Sequence, residues 1–114
     1  MDLPKQKCEA CRGDSPKITE DEISILHPYV SDWQINDDCG VNKLNRKFTF
    51  KSFPEALRFT LIVGEMSEEE GHHPLLIITW KNVTVEWWTH KIKGLHRNDF
   101  IMAAKTDVCY GVFS

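Results

Sequence analysis

A chain of 114 residues, 41% hydrophobic and 27% charged with a formal net charge of −3, fits one ordinary globular domain and shows no basic cluster that would call for nucleic acid as a partner. Its longest apolar runs, such as residues 75–78, fall far short of the roughly 20 residues a membrane helix needs. Residues 1–7 lack the basic start and apolar stretch of a secretory leader, so the expectation is a cytoplasmic protein with no membrane partner.

Residues 1–17 are rich in Lys, Pro, Cys and Gly without an apolar period and predict an irregular arm, leaving residues 18–114 as a single domain. Cys8 and Cys11 form the one C-x-x-C, while Cys39 and Cys109 stand alone. No second pair completes a zinc-ribbon pattern, and in a reducing compartment free thiols are expected. Thr19 and Glu22 have capping-box spacing, with Ile18 and Ile23 placed as a hydrophobic staple, which predicts a short helix to about His27 that Pro28 helps to stop.

Trp33 to Asn36 and Lys43 to Phe50 read as strands around the Asp37-Asp38-Cys39-Gly40 turn, with Leu44, Phe48 and Phe50 on one face. Ser52 and Glu55 have the spacing of a second capping box. Ala56, Phe59, Val63 and Met66 then follow at helical steps toward an end near Glu70, before Gly71. Leu75 to Trp80 and Val83 to His90 predict a second hairpin around Lys81 and Asn82. In its later strand Val83, Val85, Trp87 and Thr89 oppose Thr84, Glu86, Trp88 and His90, which puts His90 on the more polar face. A last helix begins near Arg97, with Ile101, Ala104 and Val108 as its apolar stripe.

This order, α-β-β-α-β-β-α, predicts an α+β fold: a four-stranded antiparallel sheet with helices packed on one face. So short a sheet leaves exposed edges, and pairing of edge strands between subunits would satisfy them, hence an expected homodimer or homotetramer.

The chemistry concentrates at residues 68–74. Glu68, Glu69 and Glu70 crowd a helix end where the macrodipole is already negative, and Gly71, His72, His73 and Pro74 follow at once. Acidic groups beside imidazoles are the material of general acid–base chemistry, and His90 supplies a third ring from a strand end. Read without reference to function, the same residues are a solvated helix end, a polar loop and a surface histidine. A metal site built from Glu68, His72, His73 and His90 competes as well, but adjacent histidines in an extended segment point to opposite sides, and no H-x-x-x-H pair is present, so no metal is expected.

Glu68-x-x-x-His72-His73-Pro74, Trp80 after five residues, Thr89-His90 with the histidine ten beyond Trp80, and Asp99 nine later together resemble the signature of the pterin-4a-carbinolamine dehydratase family. Trp33, Phe48-x-Phe50-Lys51-x-Phe53, Ala56 and Gly94-Leu95 extend the resemblance from about Ile18 to the last helix, and the Cys-Glu-Ala-Cys arm resembles the extension of bacterial members. The resemblance implies an oligomeric enzyme that dehydrates a 4a-hydroxytetrahydropterin to the quinonoid dihydropterin, with the pterin as substrate and neither metal nor organic cofactor. It implies coupling to an aromatic amino acid hydroxylase, and a noncatalytic interaction or transcriptional coactivator module as the alternative. By analogy His72 and His90 do acid and base work while His73 mainly orients substrate, and Glu68, Gly71, Pro74, Trp33, Trp88, Thr89 and Lys91 serve substrate binding. Asp99 is read as a cap of the last helix. Three positions depart from the family pattern: Gly71 stands where an acidic residue is common, Trp88 where a small hydroxyl residue is, and His96 where Ser or Thr often caps the last helix.

Overall fold

The computed structural model describes residues 2–8 and 16–113. Cys11, and with it any pairing of the C-x-x-C, lies outside them. Three α-helices, α1 (Glu20–Leu26), α2 (Phe53–Glu70) and α3 (Arg97–Gly111), accompany strands β1 (Gln34–Asp38), β2 (Val41–Thr49), β3 (Leu75–Ile78) and β4 (Asn82–Trp87). All strand pairs are antiparallel in the order β1-β2-β4-β3, so each hairpin contributes one central and one edge strand, and the α+β order expected from the sequence is the one found.

Local chemistry explains where the elements start. At α1 the Thr19 hydroxyl accepts from Glu22 N while the Glu22 carboxylate accepts from Thr19 N, a complete capping box. At α2 the Ser52 hydroxyl accepts from Glu55 N at 3.4 Å, so this start is an N-cap rather than the expected reciprocal box. Cys39 and Gly40 form the β1–β2 turn, both with positive φ (53° and 84°). Two such residues in a row are what a type I′ hairpin turn demands.

Leu44 and Phe48 of β2 face the helices with Val83, Val85 and Trp87 of β4, and Ala56, Phe59 and Val63 of α2 close over them. Phe48, Phe50, Phe59, Tyr110 and Phe113 form a continuous ring cluster in edge and tilted geometry. The stripe expected on α3 is narrower than the one found. Residues 98–104 are all buried, because the first two turns are enclosed between the sheet and two 3₁₀ turns, whereas Val108 is 61% exposed. One of those 3₁₀ turns, Leu3–Lys5, belongs to the segment expected to be irregular, and it buries Leu3 in the core. Lys105 Nζ donates to Pro4 O at 2.9 Å and Arg97 donates to Gln6 Oε1 at 2.8 Å, which straps this segment along α3.

The second hairpin is shorter than expected. β3 stops at Ile78 and β4 at Trp87. Thr89 then forms an isolated bridge with Gly94 across the turn that carries His90. No helix among the described residues is long and apolar enough to cross a membrane.

Candidate functional site

The site begins with the end of α2. Gly71 takes the left-handed conformation (φ 67°), Gly71 N donates to Glu68 O and His72 N donates to Ser67 O. That pair of bonds is a Schellman motif, which ends a helix sharply and needs a residue tolerant of positive φ. Gly71 therefore serves the backbone turn that aims His72.

From this turn the His72 ring reaches a side chain 27 residues on: its Nε2 donates to Asp99 Oδ1 at 2.7 Å. Asp99 is fully buried, and its other oxygen accepts from the Thr89 hydroxyl at 2.8 Å and from His96 N at 2.9 Å. The carboxylate thus caps α3, as expected, and in addition ties His72 to Thr89, the neighbour of His90. His96 completes the cap, its Nδ1 accepting from Asn98 N at 3.0 Å, which is how a histidine replaces the usual hydroxyl residue. The His72 side chain is 11% exposed and lies nearly parallel to Trp87, with ring centroids 5.7 Å apart and planes at 12°. Trp87 in turn donates its indole N–H to Thr106 Oγ1 at 3.1 Å.

The remaining residues divide into exposed and core positions. His73 is turned the other way and is 62% exposed, with Nε2 donating to Glu68 Oε1 at 2.8 Å. Glu70 accepts from Cys8 N at 3.1 Å, so two of the three carboxylates crowding this helix end find donors. Pro74 carries the chain from His73 into β3. His90 opens a 3₁₀ turn, His90–Ile92, and its exposed ring stacks on Trp88 at 4.4 Å; Lys91 is exposed on the same turn. Trp33 is buried in the core: its indole N–H donates to Asp107 Oδ1 at 2.8 Å, its carbonyl accepts from His27 Nε2 at 2.6 Å, and its ring meets Phe48 edge-on. None of these partners belongs to the Asp99 cluster.

Chemically, a carboxylate accepts and does not donate, so its bond to Asp99 commits His72 Nε2 as the proton-bearing nitrogen and leaves the lone pair of the neutral ring on Nδ1. The Glu68 bond imposes the same tautomer on His73. Both rings then offer Nδ1 as acceptor, or as donor once charged. Trp87 and the second role of Asp99 are the residues that sequence reasoning missed. The available signal was that Trp87 and Thr89 alternate onto the face that α3 covers, within reach of the first turn of that helix. Among the described residues no group of three His, Cys, Asp or Glu side chains could hold a metal ion.

Known proteins sharpen this geometry. Residues 16–109 match the family model described as Pterin 4 alpha carbinolamine dehydratase. A relative from Nitrosococcus oceani, provisionally named a pterin-4-alpha-carbinolamine dehydratase, is 56% identical over 93% of this chain and 94% of its own. Another of the same provisional name, from Saccharophagus degradans, is 53% identical over 96% of both. Among solved structures, a transcriptional coactivator/pterin dehydratase from Brucella melitensis superposes with a TM-score of 0.75 at 29% identity, over 82% of this chain and 98% of that one.

Proposed function

The chain belongs to the pterin-4a-carbinolamine dehydratase family, and from that premise we propose that it removes water from a 4a-hydroxytetrahydropterin through proton transfers by His72 and His90, with His73 orienting the substrate. In this elimination the C4a–O bond breaks as its oxygen takes up a proton and leaves as water. A ring nitrogen attached to C4a gives up its own proton, and its electron pair forms the new double bond of the quinonoid product. The electrons balance within the substrate, so the step requires proton donors and acceptors and no electron acceptor. The pterin is substrate rather than cofactor.

The observation that carries this reading is the buried Asp99 carboxylate bonded at once to His72 and to Thr89, the residue before His90. It fixes the tautomer and plane of one imidazole and ties it to the strand end that bears another. A positioned acid or base near neutral pH is worth about 10²- to 10⁴-fold in rate. In this scheme His72 and His90 exchange the two protons, and His73, held by Glu68, orients the ring. Gly71 and Pro74 shape the turn, while Thr89, Trp88 and Lys91 complete the surroundings of the heterocycle; Trp33, buried in the core against Phe48 and bonded to Asp107, supports the fold instead. The carbinolamine comes from an aromatic amino acid hydroxylase working upstream. A homodimer or homotetramer fits the exposed edge strand β3, whose Leu75, Ile77 and Ile78 are 40%, 48% and 38% exposed.

The test follows the carbinolamine absorbance made by a hydroxylase reaction. The protein should speed its decay above the spontaneous rate, and His72→Ala and His90→Ala should each lower kcat about 100-fold or more in a folded protein. No acceleration by the native chain would leave the noncatalytic interaction role, of the coactivator kind named for the Brucella melitensis structure.

A further inference from the structure

The helix-free face of the sheet carries a side-chain stack whose outer members, Asp38 and Lys43, the scheme above leaves unused. The register pairs Leu44 with Trp87, so Lys43 and Trp88 are the next cross-strand neighbours, on the opposite face from the core. Lys43 Nζ lies 4.0 Å from the centroid of the Trp88 ring, and that ring stacks on the His90 imidazole at 4.4 Å with planes 29° apart. At its far end the ammonium donates to Asp38 Oδ2 at 2.8 Å. Asp38 is anchored in turn, as the last residue of β1, paired with Val41 across the tight turn. A continuous path of contacts therefore runs from the hairpin turn through Asp38, Lys43 and Trp88 to His90.

The Lys43 side chain is 13% exposed although it lies on an open sheet face, whereas Asp38 is 62% exposed. The lysine stem lies along the sheet while the ammonium meets a carboxylate and an indole face. The Asp38 hydrogen bond, aided by the charges of Asp38 and Glu86, raises the Lys43 pKa, so Lys43 stays charged wherever an imidazole titrates. His90, by contrast, is an exposed side chain on a single 3₁₀ turn, stacked on the Trp88 ring. An acid or base so placed loses rate unless something restricts its orientation.

We propose that Lys43 and Trp88 are positioning residues for His90: the ammonium tied to Asp38 pins the Trp88 indole, and the pinned indole sets the plane of the imidazole. This rests on the reading of His90 as a proton-transfer group, and it gives the bulky residue beside Thr89 a task other than touching substrate. The stack needs both a lysine at 43 and an aromatic ring at 88.

Two readouts test it. In ¹H–¹³C spectra the His90 Cε1–H resonance, assigned by its loss in His90→Gln, should be displaced by the indole ring current. Lys43→Met should relax that displacement and Lys43→Arg should restore it. In the dehydratase assay Lys43→Met should lower kcat by about threefold to tenfold, the scale of a lost cation–π contact. KM should stay within about twofold, since no substrate contact is removed, and Lys43→Arg should recover most of the rate. A His90 resonance unmoved by Lys43→Met overturns the proposal, as does full kcat in that variant while His90→Ala is crippled. Failure of the underlying reading has a different signature, because His90→Ala would then also keep full activity.

Discussion

Asp99 accepts from His72, Thr89 and His96 N at once, and those demands can be separated by one substitution. An asparagine at this N3 position keeps a side-chain oxygen that can accept from His96 N, so Asp99→Asn should keep α3 and cooperative unfolding. It removes the anionic acceptor that commits His72 Nε2, and loss of such an orienting partner is worth about 10- to 100-fold in activity. Steady-state kinetics beside a thermal melt checks both halves. Asp107 makes a different kind of pair: burial raises its pKa, and the bonds from Trp33 and Arg46 only partly oppose this. Between the ordinary carboxylate value and that raised one the folded chain holds more protons than the unfolded, so this group's contribution to stability falls as pH rises and levels off above the interval. Denaturant titrations across mildly acidic pH should show the wild type losing stability with rising pH relative to Asp107→Asn, whose curve lacks that component.

At the scale of elements, what could be read in advance was what is local. The Thr19 box, the Gly71 stop and the alternation along residues 83–89 depend on spacing alone, and each formed. What could not be read depends on distant partners. Residues 98–104 are buried nearly all round because strands and the Leu3–Lys5 turn enclose them, which no helical period announces. The site follows the same division: the histidines stand out as letters, but the bond that chooses the His72 tautomer crosses 27 residues. Gly71 tests how much the turn matters. Gly71→Ala should cost about 1 kcal/mol, the penalty for a side chain at positive φ. It should also lower kcat, since His72 N is part of the same Schellman pair, and denaturation and kinetics together report both effects.

For the whole molecule, two repeated strand-strand-helix units bring the end of α2, the end of β4 and the start of α3 together, where Asp99 links His72 to Thr89. The same arrangement leaves β3 as an edge with outward Leu75 and Ile77. If self-association uses that edge, Ile77→Lys should reduce the mass measured by light scattering to that of the single 13.2 kDa chain while leaving the circular dichroism unchanged. An unchanged assembly would move the interface elsewhere. The most direct measurement of all is a crystal structure of the protein with a stable dihydropterin. The expected result is the bicyclic ring seated between the His72–His73 turn and His90, with an imidazole nitrogen in hydrogen-bonding reach of the ring edge at C4a. A pterin bound away from these rings, or contacting the paired histidines with His90 pointing elsewhere, would contradict the proposed chemistry.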